Sequence, residues 1–171
     1  MEEQIVFTVM DSLLGEILLA GNEHGLTQVS FQEGKSPLTP ALDWQRDDEV
    51  WATAVSQLTA YFAGELQTFD LPLAPQGTPF QQEVWAHLQT IPYGRTITYS
   101  AIAQELGNPK SSRAVGAANG RNPIAIIIPC HRVIGSNGKL TGYAGGLKFK
   151  EALLSLEQNG RIEGNHQLSL F

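Results

Sequence analysis

Ile124-Ala125-Ile126-Ile127-Ile128-Pro129-Cys130-His131-Arg132 joins a wholly apolar, mostly β-branched run to the only cysteine of the chain. β-branched side chains favour extended backbone, so residues 124–128 are predicted to form a buried strand. That strand would end at Pro129 and present Cys130, His131 and Arg132 at its tip, a common place for catalytic groups. Neighbours on a strand face opposite ways, so Cys130 and His131 would diverge and a bridging water would have to connect them.

Upstream, Thr78-Pro79-Phe80-Gln81 has the pattern of a helix start, with Thr78 as cap, Pro79 at the first helical position and Gln81 completing a capping box. Phe80, Val84 and Leu88 share one face of that helix. After the turn at residues 91–94, a short strand is predicted over 96–99 and a helix over 100–106, stopped by Gly107. Ser111 and Ser112 are candidate caps for a further helix over 113–119. The two short helices have helix-turn-helix proportions, and the second is rich in small residues: Ala114, Gly116, Ala117, Ala118. Downstream, residues 147–158 are predicted to be a helix packed through Leu153, Leu154 and Leu156.

The first third reads differently. Short apolar or alternating runs at 5–10, 15–20 and 26–32, separated by turn signals, predict a small antiparallel sheet. Residues 47–63 place Trp51, Val55, Leu58 and Phe62 on one helical face, with Asp47 or Asp48 as cap and Gly64 after the end. The Pro-rich stretch 71–77 reads as a linker. The fold class is therefore α+β: a scaffold unit of sheet and helix over 1–74, a mostly helical unit with the helix-turn-helix and active-site strand over 75–163, and a tail over 164–171.

With 171 residues, 42% of them hydrophobic, the chain can build a real core. No apolar run approaches the ~20 residues of a membrane span, and no export signal precedes the first strand. A single cysteine makes no internal disulfide and no multi-cysteine zinc site, so a reducing, cytoplasmic setting is expected. The net charge of −6 hides an asymmetry: residues 1–75 hold two basic against twelve acidic residues, whereas 93–150 hold eight basic residues against Glu105 alone. A basic half joined to an acidic one points towards a polyanionic partner. For Cys130 itself, a thiol becomes a good nucleophile when a neighbour takes its proton, and His131 is the neighbour at hand. A small buried hydrophobe is the competing reading of a lone cysteine.

The segment 129–135 (Pro-Cys-His-Arg-Val-Ile-Gly) with Thr141-Gly142-Tyr143-Ala144-Gly145-Gly146 closely resembles the methylated-DNA–protein-cysteine methyltransferases of bacterial type, direct-reversal repair proteins for O6-alkylguanine. The likeness extends through Asn122-Pro123, Arg113-Ala114-Val115-Gly116, Tyr99 and Thr78-Pro79-Phe80, covering roughly residues 75–160. It implies that Cys130 accepts the alkyl group, that His131 deprotonates it through a water, and that Glu157 orients the histidine, a relay with the logic of a hydrolase triad. It implies that Arg113 enters the base stack vacated by the target nucleotide, with Ser112, Ala114, Gly116 and Arg121 beside it on the DNA. Tyr99 would rotate the nucleotide out and donate to the departing guanine. Asn122 would tie the helix-turn-helix to the active-site segment, and Tyr143, Val133 and Ala144 would line the base pocket. Ala144 replaces a hydroxyl residue of some members and Ala125 a proline, which would admit bulkier alkyl groups or O4-alkylthymine.

The resemblance further implies a monomer that enters damaged double-stranded DNA from the minor groove, needs no cofactor and acts once per molecule. The last five residues, Gln167-Leu168-Ser169-Leu170-Phe171, resemble the peptide with which bacterial repair proteins dock on the sliding clamp, through Gln167, Leu168, Leu170 and Phe171. A non-catalytic alkyl-lesion binder that recruits other factors is the alternative, and such relatives lack the acceptor cysteine. A small-molecule Cys-His-Glu hydrolase or a transcriptional regulator would each leave part of the pattern unused.

Overall fold

A computed structural model describes residues 3–35, 37–138, 140, 143 and 146–162. Strands β1 (Val6–Met10), β2 (Ile17–Asn22) and β3 (Gly25–Phe31) form an antiparallel meander. The sheet is mixed rather than purely antiparallel, because a two-residue strand β4 (Gln45–Arg46) adds to β1 in parallel, giving the order β3-β2-β1-β4. Helix α1 (Ala52–Phe62) follows.

The Asp cap expected for α1 is not made. Asp47 still belongs to the sheet edge, where its N–H donates to the Phe7 carbonyl, and Asp48 accepts from the Thr8 hydroxyl at 2.6 Å. The helix starts later, with Trp51 in the cap position and its indole N–H on the Val6 carbonyl. Leu58 and Phe62 are buried on the predicted face; so is Tyr61, which the one-face pattern leaves out.

Helix α2 (Pro79–Leu88) has the predicted capping box: Thr78 accepts from the Gln81 N–H and the Gln81 side chain accepts from the Thr78 N–H. Strand β5 (Ile97–Thr98) leads into α3 (Tyr99–Glu105), whose cap is Thr98. A 3₁₀ turn (Pro109–Ser111) precedes α4 (Ser112–Gly120). Ser111 does not cap α4, since its hydroxyl bonds back to Asn108. Trp85 of α2, fully buried, donates from its indole to the Ala118 carbonyl and ties α4 to the core.

Ile124, Ile126, Ile127 and Ile128 are buried and Ala125 half-buried, but the segment is not a strand. Ile124 makes one isolated parallel bridge, to Val29 of β3. Then Ile127 N–H bonds the Ala125 carbonyl and Cys130 N–H bonds the Ile128 carbonyl, each at 2.8 Å, which closes two three-residue γ-turns. The first is centred on Ile126 at φ 72°, a conformation rare for a β-branched residue and held here by burial on all sides. An apolar run reports burial, and burial does not by itself require an extended chain. A second 3₁₀ turn (Cys130–Arg132), strand β6 (Val133–Ile134), paired in parallel with β5, and helix α5 (Leu147–Asn159) complete the fold.

Sheet and helices share one apolar core, from Leu14 and Leu19 through Tyr61 and Trp85 to Leu153. The 71–77 stretch lies against the sheet, its Pro72 carbonyl accepting from Leu26 N–H. Among the described residues, no helix is long and apolar enough to cross a membrane. Replacing Trp85 with Phe keeps the ring in the core but removes the bond to Ala118, so stability should fall by about 1–2 kcal/mol in urea unfolding with unchanged helical content.

Candidate active site

The 3₁₀ turn decides how the three consecutive polar residues point. At three residues per turn, successive side chains fan out by about 120°, so His131 and Arg132 both reach α5 while Cys130 faces another way. The divergence expected of a strand is replaced by this fan.

Glu157 of α5 lies at the centre. His131 Nε2 is 2.6 Å from Glu157 Oε2; Arg132 donates from Nε to Oε1 at 2.8 Å and from Nη2 to Oε2 at 3.0 Å. Gly94 N–H reaches Oε1 at 3.2 Å, and the Tyr61 hydroxyl donates to Oε2 at 2.6 Å. Gly94 sits at φ 77°, where a side chain would be strained and would also press on the Glu157 carbonyl. Burial alone pushes the Glu157 carboxyl up. The hydrogen bonds and charges of His131 and Arg132 outweigh it and hold the group well below the carboxylate range. Glu157 is therefore ionised, and His131 Nε2 carries the hydrogen that bonds it. The lone pair of the imidazole is on Nδ1, which is buried and bonded to no described residue. Burial lowers the affinity of His131 for a second proton, with Glu157 opposing and Arg132 and Lys150 adding to the effect. A buried, neutral imidazole oriented by a carboxylate is poised to accept a proton.

Cys130 is 5% exposed, and burial pushes its thiol up to about 11, with the Asn122 side chain and the Lys150 charge pulling the other way. At neutral pH such a thiol needs a base. Asn122 spans the two γ-turns, accepting from Ile124 N–H and donating to the Ile128 carbonyl at 2.7 Å. Lys150 of α5 is buried and donates to the Val133 carbonyl, and burial lowers it to about 8. Tyr143 is buried, with its hydroxyl bonded to no described residue, close enough to Cys130 for the thiolate charge to add to burial in raising it.

The side chains of α4 divide between core and surface. Val115, Ala118 and Asn119 are buried, whereas Arg113, Ala114 and Ala117 are exposed and Ser112 and Gly116 half-buried. A Cβ at Gly116 would sit 3.8 Å from the Tyr99 ring, so that ring lies against the glycine. Arg121, just past α4, is exposed. The structure thus gathers Cys130, His131, Glu157, Asn122, Val133 and Tyr143 into one buried region and leaves Arg113, Ala114 and Arg121 on the surface. Ala144 and the tail residues Gln167, Leu168, Leu170 and Phe171 lie outside the described residues. Arg132 stands beside Cys130 and His131 in the sequence, but its bond to Glu157 is not legible there; Lys150, in the charged stretch Lys148-Phe149-Lys150-Glu151, and Tyr61, an off-pattern aromatic, carry no sequence signal for the site. Among the described residues, no group of His, Cys, Asp or Glu has the arrangement to hold a metal.

Two sequence profiles match the chain: the ribonuclease-like domain of 6-O-methylguanine DNA methyltransferase over residues 5–75, and the DNA binding domain of the same family over 79–159. The chain is 58% identical to the methylated-DNA–protein-cysteine methyltransferase of Methanosarcina acetivorans over 151 residues, 88% of this chain and 97% of that one. It is 51% identical over 155 residues to the protein of the same name in Mycobacterium tuberculosis, covering 91% and 93%. The crystal structure of Mycobacterium tuberculosis OGT in complex with DNA superimposes with a TM-score of 0.87 at 48% identity, over 95% of this chain and 99% of that one. The O6-methylguanine-DNA methyltransferase of Pyrococcus kodakaraensis strain KOD1 gives 0.64 at 26%, over 90% and 99%. The chain belongs to the 6-O-methylguanine DNA methyltransferase family.

The two depressed groups fix the sign of the acid response. Below about pH 6.5 the unfolded chain takes up a proton at His131 that the folded chain refuses, and below about 4.3 the same holds at Glu157. Stability is fully present above these values and is lost as pH falls, by about 1.4 kcal/mol per pH unit for each group within its window. Thermal unfolding midpoints should therefore stay level from pH 7.5 to about 6.5 and drop from there to pH 4; a profile flat over the whole range would contradict the assignment.

Proposed function

We propose that the protein repairs alkylated DNA by direct reversal, moving the alkyl group from O6 of guanine to Cys130 Sγ. The observation that carries this is the buried Glu157–His131 pair, with the free lone pair of His131 on Nδ1, next to the only cysteine of a chain in this family. His131 takes the thiol proton through a water, and Glu157 stabilises the imidazolium that results. The thiolate attacks the alkyl carbon, a C–S bond forms, the C–O6 bond breaks, and guanine leaves as the neutral base after accepting a proton, a donation assigned to the Tyr99 hydroxyl. The thioether has no hydrolytic route back, so each molecule acts once. No step calls for a cofactor.

Cys130 is buried, so a base stacked in a duplex is out of its reach and must be extruded. The exposed Arg113, Ala114 and Ala117 edge of α4 supports entry into the minor groove: small side chains permit close approach, and Arg113 fills the space the base leaves. Arg121 and Ser112 reach the neighbouring phosphates, and Tyr143, Val133 and Asn122 line the pocket for the flipped base. Alanine at positions 125 and 144, where some family members carry proline and a hydroxyl residue, is the basis in the sequence for extending the reading to larger alkyl groups and O4-alkylthymine.

Incubating the protein with duplex DNA holding one O6-methylguanine should add the mass of one methyl to Cys130, at most once per molecule. Cys130→Ala should bind the lesion without transfer. Arg113→Ala should slow transfer from duplex at least tenfold while leaving attack on the free base unchanged. Repeated turnover, or no adduct, would overturn the reading.

The tail is assigned to sliding-clamp docking, with Gln167, Leu168, Leu170 and Phe171 as anchors for a preformed groove. Deleting residues 167–171 should abolish clamp binding in a pull-down with purified clamp and leave alkyl transfer intact; undiminished affinity sinks this assignment.

A further inference from the structure

The hydrogen bonds that described residues make to Glu157 come from His131, Arg132, Gly94 and Tyr61, and only Tyr61 belongs to the first 75 residues. We propose that Tyr61 is a positioning residue for alkyl transfer: its hydroxyl holds the Glu157 carboxylate and through it sets how strongly His131 binds a proton. This rests on the reading of His131 as the base that serves Cys130, and it gives the acidic, sheet-bearing half of the chain a part in the chemistry.

The geometry separates this role from packing. Tyr61 donates to Oε2, the oxygen that also accepts from His131 Nε2 and Arg132 Nη2, whereas Arg132 Nε and Gly94 N–H take Oε1. The Tyr61 hydroxyl therefore competes with the imidazole for the same negative charge. It can only donate, because burial and the charge of Glu157 raise its own titration well above the ordinary phenol range. Its direction is fixed by the ring, which is fully buried and packed against Phe62, Phe69 and Tyr93 at centroid distances of 5.5, 5.5 and 6.2 Å. A hydroxyl so fixed leaves the carboxylate little freedom to rotate away from His131.

Taking the hydroxyl away leaves more of the Glu157 charge on His131, which should bind its proton more tightly. The other groups around the imidazole are unchanged by that substitution: Arg132 on its own turn, Glu157 and Lys150 on α5, Cys130 beside it and, farther off, Tyr93 and Tyr143.

The test is Tyr61→Phe, which keeps the ring contacts. In the free protein, the NMR titration of the His131 ring should move upward by on the order of half a pH unit. With O6-methylguanine duplex, the rising limb of the single-turnover rate should move the same way, a loss of about threefold on its acid side. Phe69→Leu, which loosens the same aromatic cluster without touching Glu157, should move neither. In the wild-type protein the Tyr61 hydroxyl proton should be protected from exchange and show a cross-relaxation peak to the His131 Nε2 proton; its absence refutes the contact without any variant. An unmoved His131 titration in Tyr61→Phe overturns the proposal even if transfer slows or the melting temperature falls, because packing alone then explains the loss. A wild-type protein that makes no adduct refutes alkyl transfer itself; the His131 titration then decides whether the coupling stands.

Discussion

A carboxylate moved out of water loses several kcal/mol of solvation unless donors replace the water it gave up. Glu157 is such a group, and its replacements come from four places: the end of α1, the turn after α2, and two successive residues of the 3₁₀ turn that carries Cys130. None of these elements can drift from α5 without leaving a buried charge short of a partner. The requirement that makes Glu157 costly to bury is thus what fixes the sheet-bearing half, the helix-turn-helix entry and the reactive turn relative to one another. It also fixes the imidazole tautomer, since an ionised carboxylate at Nε2 leaves only Nδ1 to act as base. Structure and chemistry rest on the same carboxylate.

The thiol shows the complementary choice. Burial makes it hard to ionise, and a Cys130 exposed to solvent would be easier to deprotonate. In return the thiol is kept from water and from unrelated electrophiles, with the neutral His131 imidazole as its chain neighbour. A base stacked in a duplex would have to come out of the helix to reach such a sulfur. Under the proposed function, the basic middle of the chain and the exposed Arg113, Ala114 and Ala117 edge of α4 would serve that need.

Local signals were read correctly where the physics is local. The Thr78–Gln81 capping box involves groups three residues apart, and it forms as predicted. The end of α5, closed by Gly160 in the left-handed region, is likewise a matter of nearby residues. A distant partner overrides the local preference at Asp47 and Asp48, which look like caps but are claimed by the sheet edge. Ser111 also looks like a cap, but the nearby Asn108 carbonyl takes its hydroxyl, and α4 begins without a side-chain cap. The two-residue β4 has no pattern to detect.

Cys130, His131 and the small-residue helix stand out as candidates from residue types alone, because a nucleophile, a base and a groove-fitting helix would each require particular side chains. The pairing of His131 with Glu157 came from the family resemblance, since 26 residues separate them and no periodicity joins them. Only the tertiary structure decided how the reactive segment runs. Residues 124–128 are as apolar as a buried strand, yet they close into γ-turns braced by Asn122 and lead Cys130 into a 3₁₀ turn. That turn, and not the order Cys-His-Arg, aims His131 and Arg132 at one carboxylate. The tertiary fold likewise brought Tyr61 to the same oxygen, 96 residues away along the chain. Composition and spacing determine which groups a chain possesses; which of them meet is set by the cost of leaving a charge buried alone.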